Sequence, residues 1–354
     1  MSPDRFSTFR KLVAIAAVLL FSMPAATQAG VPGATDVQPA ATLLVPFFET
    51  GVTPDLTEDT LIVFTNDSTS AVLVHYEVWD IDGIEAGIFD TVEIPPRGTL
   101  PLAMRDVIAP ASEASKSRLR QGNFYRGFVT ADVVTERTVL LPFDAGYPFA
   151  GDNVLTGWVY YTRLFEGSSN GLPMVHLEWA DATADDELLV GFYGDFNGNR
   201  VEQIDADARG CASSLIRGDS CFLDAEQDID EMAFRVFLAD VPLNGTSRII
   251  VFTLHTEKFG GPSVICPSEP TPCADGYPMR RYDESGTVVS ATTLELDHVV
   301  NVIPVGGNEN GWVAIRDIPT VNSNLQVYGF AFNQAQPQDA ALNWDAIFEA
   351  TITP

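Results

Sequence analysis

Short runs of alternating apolar and polar residues, rich in β-branched and aromatic side chains, recur along most of the chain. Residues 60–65 (Thr-Leu-Ile-Val-Phe-Thr), 71–79 (Ala-Val-Leu-Val-His-Tyr-Glu-Val-Trp) and 126–134 (Arg-Gly-Phe-Val-Thr-Ala-Asp-Val-Val) are of this kind. Turn residues such as Asn66-Asp67-Ser68 and Asp82-Gly83 bound them. A period of two sends successive side chains to opposite faces of a strand, and such clusters of polar and glycine residues end strands. Helical spacing is rare, the best stretch being 111–120 after Pro110. The pattern predicts an all-β protein of two related antiparallel β-sandwich, immunoglobulin-like domains.

An internal repeat supports the count of two. Leu61-Ile62-Val63-Phe64-Thr65 recurs as Ile249-Ile250-Val251-Phe252-Thr253. Trp79-Asp80-Ile81-Asp82-Gly83 matches Tyr282-Asp283-Glu284-Ser285-Gly286, and Gly127-Phe128-Val129 matches Gly311-Trp312-Val313. The order is kept, with Phe64 expected at the place of Phe252 and Trp79 at that of Tyr282. The expected division is a leader over 1–29, a first sandwich over 30–180, an acidic Gly-rich connector over 181–233 and a second sandwich over 234–354.

The leader rests on Arg5, Arg10 and Lys11, an apolar run over 12–21 and the small residues 25–29. This is the order of a cleavable signal peptide, with cleavage after Ala29. A run of about ten apolar residues is half the length a bilayer span needs. The expected location is therefore secreted or periplasmic, without a membrane span. Three segments, 42–48 (Thr-Leu-Leu-Val-Pro-Phe-Phe), 73–80 (Leu-Val-His-Tyr-Glu-Val-Trp-Asp) and 153–158 (Asn-Val-Leu-Thr-Gly-Trp), resemble a group of uncharacterised exported bacterial β-rich proteins. The resemblance implies export and β-architecture, and it carries over no functional residue.

The formal charge of the chain is −28; removing Asp4, Arg5, Arg10 and Lys11, which together carry +2, takes it to −30. Such a surface repels phosphate backbones and argues against nucleic acid as a partner. An extracellular ligand, protein or glycan, is the expected partner. Cys211, Cys221, Cys266 and Cys273 are an even set in an exported chain and read as two local disulfides, 211 with 221 and 266 with 273.

Candidate chemistry is sparse. His75, His176 and His255 lie in strand-like runs, where a histidine is a packed or surface residue more often than a base. Gly167-Ser168-Ser169-Asn170-Gly171 has the spacing of a nucleophile elbow, but Pro173 follows where a helix belongs, so a hairpin turn is expected. Abundant carboxylates leave open a carbohydrate-active enzyme with a carboxylate pair. Asp195, Asn197 and Asn199 alternate as oxygen ligands, Val201 adds a carbonyl, and Glu202, Asp205 or Asp207 closes a weak calcium shell. Arg200 and Ala206 depart from the EF-hand loop, and an acidic turn is the plain alternative. Arg217-Gly218-Asp219 sits between Cys211 and Cys221 as a candidate adhesive loop. Phe47, Phe48, Trp158, Tyr160, Tyr161, Trp179, Trp312 and Trp344 are candidates for a carbohydrate platform or for core. Asn66 and Asn244 open glycosylation patterns. The sum is an exported, non-enzymatic binding or structural module.

Overall fold

Thr42–Gly51, strand β1, is an unbroken run of buried residues rather than an alternating one, as a strand covered on both faces requires. The computed structural model describes residues 39–142, 144–163, 168–177, 229–236, 246–254, 277–294, 298–305, 310–318, 326–334, 345–349 and 351–353. After β1 come β2 (Glu58–Asn66), β3 (Val72–Trp79), β4 (Glu85–Ile94) and β5 (Thr99–Ala103). Two short helices follow, α1 (Met104–Ile108) and α2 (Glu113–Leu119), the latter within the stretch where helical spacing was found. The Ser112 side chain accepts from the Ser115 amide and so caps α2. Then come β6 (Arg120–Gln121), β7 (Phe124–Val134), β8 (Leu155–Arg163), β9 (Ser168–Pro173) and β10 (Val175–Leu177).

The strands form two antiparallel sheets. The β1 sheet has the order β10-β1-β7-β3-β4, with β6 beside β7, and the β2 sheet the order β5-β2-β8-β9. β1 lies against β2 and β8. Leu43, Val45, Val74, Tyr76, Val78, Val129, Ala131 and Val133 fill the space between them with Ile62, Phe64 and Val159.

The later strands are β11 (Ile229–Val236), β12 (Thr246–Leu254), β13 (Tyr277–Asp283), β14 (Val288–Leu294), β15 (Val300–Val305), β16 (Gly311–Ile318), β17 (Gln326–Gln334), β18 (Asp345–Glu349) and β19 (Thr351–Thr353). Their orders are β14-β13-β16-β11-β19 in the β11 sheet and β15-β12-β17-β18 in the β12 sheet. Each order repeats one of the first half strand for strand. β11, β13, β14, β16 and β19 stand where β1, β3, β4, β7 and β10 stand, and β12, β15, β17 and β18 where β2, β5, β8 and β9 stand. All of these pairings are antiparallel. β11 begins at Ile229, inside the stretch expected as connector.

The repeat extends to backbone detail. Asp80 Oδ1 accepts from the amides of Asp82 and Ile84 at 2.9 Å each, and Gly83 turns with φ 78°. Asp283 Oδ1 accepts from Ser285 at 2.8 Å and Thr287 at 2.9 Å, and Gly286 turns with φ 80°. An acidic side chain bonding two residues ahead, then glycine in the left-handed region, is the chemistry of a tight turn. Trp79 pairs with Phe128 and Tyr282 with Trp312.

The match of Phe64 with Phe252 needs a correction of one residue. Phe64 pairs with Gly157, whereas Gly329 pairs with Val251 and Phe252 pairs with Tyr328. By this register Val251 takes the place of Phe64, and a slip of one residue turns a side chain to the other face. Phe252 accordingly meets Phe128 of the first copy edge to face, with centroids 5.2 Å apart.

That contact shows how the copies stack. The β12 sheet lies on the β1 sheet, on the face turned away from the β2 sheet. Ile250, Phe252, Val299 and Val300 belong to the same core cluster as Trp79 and Phe128. The Val300 amide donates to the Ile81 carbonyl at 3.0 Å. Arg248 Nη1 donates to Glu49 Oε1 at 2.9 Å and Oε2 at 2.8 Å, while Arg126 Nε donates to Glu49 at 2.7 Å. Burial alone would raise the Glu49 carboxyl, but Arg248 and Arg126 together hold it below its usual value. With β11 against β17 and β18, the layers run β2 sheet, β1 sheet, β12 sheet, β11 sheet. All the described strands belong to one compact unit.

Candidate functional site

The face of the β1 sheet turned towards the second copy carries a polar row beyond Trp79 and Phe128. Period two places Thr42, Asp132, Thr130, His75, Glu77 and Thr91 there, and every one is buried. Thr42 Oγ1 donates to Asp132 Oδ1 at 2.5 Å, and Trp79 Nε1 donates to Thr130 Oγ1 at 2.9 Å. The segment after β7 roofs this row. The Tyr147 hydroxyl donates to Asp132 Oδ2 at 2.9 Å, and its ring meets the His75 ring edge-on at 5.9 Å. Arg137 donates to the Thr91 carbonyl.

His75 and Glu77 are each 1 % exposed, and His75 Nε2 lies 4.0 Å from Glu77 Oε1. Burial pushes the imidazole down to about 4, against a pull upwards from Asp90. Burial, reinforced by Glu85, Asp132 and Asp144, pushes the Glu77 carboxyl up to about 9. At neutral pH both groups are uncharged, so the approach is not an ion pair. His75 Nδ1 is 2.9 Å from Thr91 Oγ1, while Nε2 and both carboxyl oxygens have no hydrogen-bond partner. An acid–base pair works only on a substrate within hydrogen-bond reach, and these atoms are sealed from solvent. Their chemistry is to stay neutral within a packed layer.

The open surfaces are different. On the outer face of the β2 sheet, Trp158 is 39 % exposed and stacks with Tyr160 at 6.4 Å and 23°. Val63 and Pro173 flank Trp158 on the neighbouring strands. Gly171 lies across from Tyr160, and a Cβ there would sit 2.7 Å from the ring. The absent side chain keeps this face flat. At the other end of the stack, the outer face of the β11 sheet presents Trp312, 41 % exposed, paired with the half-buried Tyr282. The Arg235 guanidinium lies 5.1 Å over the Trp312 ring and pairs with Glu284. Val288, across from Tyr282, is also exposed.

Among the sequence-derived candidates, Phe47, Phe48 and Tyr161 are core, and Trp158, Tyr160 and Trp312 are surface. His75 and His176 lie on strands, as expected. Ser168–Pro173 is a strand paired with β8 where a hairpin turn was expected, and another strand, β10, follows it directly. Asn66 is fully buried, and its Nδ2 donates to the carbonyls of Ser70, Ile94 and Pro95, which excludes a glycan there. Asp195, Asn197, Asn199, Val201 and Asp205, the cysteines 211, 221, 266 and 273, and Arg217-Gly218-Asp219 lie outside the described residues, as do residues 1–29, His255, Trp179, Asn244 and Trp344. Among the described residues, no group of three or more His, Cys, Asp and Glu side chains is arranged to hold a metal ion. No helix there is long and apolar enough to cross a membrane. Reasoning from sequence missed the Glu77–His75 pair and the role of Arg248. A histidine and a glutamate two residues apart in the otherwise apolar run over 71–79 were the available signal.

No protein-family model and no curated protein matches the chain. Two solved structures of a Pleurotus ostreatus lectin align with it. The complex with GalNAc has 8 % identity and a TM-score of 0.18, covering 91 % of this chain and 80 % of the lectin. The apo form has 10 % identity and a TM-score of 0.18, covering 92 % and 81 %. Similarity at that level carries no argument about this chain, which is a β-rich protein of several antiparallel sheets.

Proposed function

We propose that the chain is an exported, non-enzymatic binding or structural module, built of two related immunoglobulin-like sandwiches, that works through flat outer sheet faces. One observation carries the reading. Trp158 and Trp312 stand exposed on the outer faces at the two ends of the stack, Trp312 with the Arg235 guanidinium over its ring, while the strongly shifted His75 and Glu77 are sealed inside. A contiguous apolar patch, as Trp158 forms with Tyr160, Val63 and Pro173, marks a contact site where a lone exposed ring would not. The ligand is extracellular, and both a protein surface and the C–H face of a sugar ring suit an exposed indole.

Trp158→Ala and Trp312→Ala test the reading, because neither side chain is core. Both variants should keep the parent's circular dichroism and melting temperature. The double variant should be retained on the surface of producing cells roughly tenfold less than the parent, as loss of central aromatic anchors implies. Retention equal to the parent's would show that the faces are not the working surface.

Export, the local disulfides and calcium belong to the same reading. A weak site at Asp195, Asn197, Asn199, Val201 and Asp205 would stiffen the acidic connector, with affinity of about 10⁻⁴ to 10⁻³ M as in extracellular modules. One preparation tests all three. Exported material should begin at Gly30 and show bridges 211–221 and 266–273 in a non-reducing peptide map. Its melting temperature should rise in millimolar calcium over chelator, and Asp195→Ala should abolish that rise. A chain retaining Met1, a bridge between the two loops, or an undiminished gain in the variant would each strike its part of the reading.

A further inference from the structure

The two open faces are the two halves of an interface that the chain already makes once. In the first copy, the outer face of the β1 sheet holds Trp79 and Phe128, both 0 % exposed. The β12 sheet of the second copy covers them with Ile250 and Phe252. In the second copy the same strand positions hold Tyr282 and Trp312, on the outer face of the β11 sheet, and Trp312 is left 41 % exposed. At the far end, the outer face of the β2 sheet stands in the place of the covering β12 face. The register that equates Val251 with Phe64 puts Ile250 at the position of Val63, beside which Trp158 stands exposed. The layer order is therefore a repeat whose next member is missing at both ends. From the sheet-face reading of function, we propose that copies of this chain assemble head to tail, the Tyr282–Trp312 face of one molecule seating on the Val63–Trp158 face of the next.

The geometry favours this occupant over others because the two faces differ. A two-fold dimer would bring like faces together, whereas the interface within the chain joins unlike ones, and a contact between unlike faces leaves one of each open for further addition. Terminal repeats of closed arrays carry polar caps, whereas here one end presents the Trp158 indole stacked on Tyr160 and the other the Trp312 indole with only the Arg235 guanidinium described over it. Charge shapes the conditions. Molecules at −28 repel one another, so assembly held by apolar faces strengthens as salt screens that repulsion.

Sedimentation velocity on the purified chain tests the proposal, with Trp158→Glu and Trp312→Glu as single-face variants. Both side chains point to solvent, and an unchanged melting temperature serves as the check on folding. The parent should form a ladder of species that lengthens with concentration and with added salt. Each variant alone should be monomeric, and an equimolar mixture should give dimers and nothing larger, because it holds one intact face of each kind. A parent that stays monomeric at all concentrations and salts overturns the proposal. So does either variant that self-associates alone, or a mixture that stays monomeric. If soluble oligosaccharide binds the parent and Trp158→Glu abolishes that binding while no ladder forms, the face is a glycan site and head-to-tail assembly is rejected. A monomeric parent whose Trp158→Ala,Trp312→Ala variant still loses cell-surface retention likewise rejects assembly and leaves the sheet-face reading standing.

Discussion

Gly127→Ala and Gly311→Ala should each cost about 4 kcal/mol or more, enough to unfold a substantial fraction of the chain. A Cβ on Gly127 would lie 2.0 Å from the Trp79 carbonyl oxygen, and one on Gly311 would lie 1.9 Å from that of Tyr282. The nearest neighbour is main chain in both cases, so relief requires β7 to part from β3 or β16 from β13. Overpacking against a flexible side chain costs less, because the side chain yields. Gly122 is the internal control. Its φ of 63° strains any other residue, but nothing lies within 4 Å of the added atom, so alanine there should cost about 1 kcal/mol. Urea unfolding of the three variants decides the matter. Losses at Gly127 and Gly311 no larger than at Gly122 would mean that these strands do not approach as closely as described.

Glu77→Gln should stabilise the protein in alkali, the reverse of what replacing a buried charged residue does. The folded carboxyl titrates at about 9 against an ordinary 4.5, so the folded state holds the proton more tightly than the unfolded one. The stability this contributes is complete below about pH 4.5 and falls away as pH rises towards 9. Glutamine is the neutral isostere and has no proton to lose. Parent and variant should match near pH 4.5, and at pH 8 the variant should be the more stable by about 2–4 kcal/mol. That figure is below the full shift at 1.36 kcal/mol per unit, because water penetration and relaxation soften buried charges. His75 acts with the opposite sign. Its folded value of about 4 lies below 6.5, so its contribution is present above 6.5 and lost as pH falls towards 4. The variant should therefore keep the parent's acid limb. An alkaline loss that persists unchanged in Glu77→Gln would place the titrating group elsewhere.

Strand content and the repeated strand order were legible because they rest on local signals. Alternation at 60–65 and the aspartate–glycine turns after Trp79 and Tyr282 need no tertiary knowledge, and both turns formed as their residues require. Burial of a strand on both faces was less legible. The apolar run at 42–48 hinted at it, yet nothing local says that β12 is covered twice, by its own sheet pair and by the first copy. The one-residue slip between Phe64 and Phe252 follows from that double burial, since Ile249, Ile250, Val251 and Phe252 are all apolar and either register satisfies one face. The aromatic candidates divided by strand parity. Tyr161 points inward and donates to the Phe47 carbonyl, whereas its neighbours Trp158 and Tyr160 share the outer face. Glu77 was illegible as a neutral buried acid, because its raised pKa comes from burial, reinforced by carboxylates on β4, β7 and the roofing segment, and only the fold supplies both.

The β12 sheet lies against the β1 sheet, and a double-mutant cycle on Glu49 and Arg248, 199 residues apart, tests that contact. Glu49→Gln and Arg248→Met each remove one partner of a buried charged contact, and each should cost about 3–5 kcal/mol. If the two residues touch, the double variant should lose little more than the worse single one, a coupling of roughly 2 kcal/mol or more by urea unfolding. Losses that add to within about 0.5 kcal/mol would mean that the two residues do not meet, and that the copies do not stack in this order.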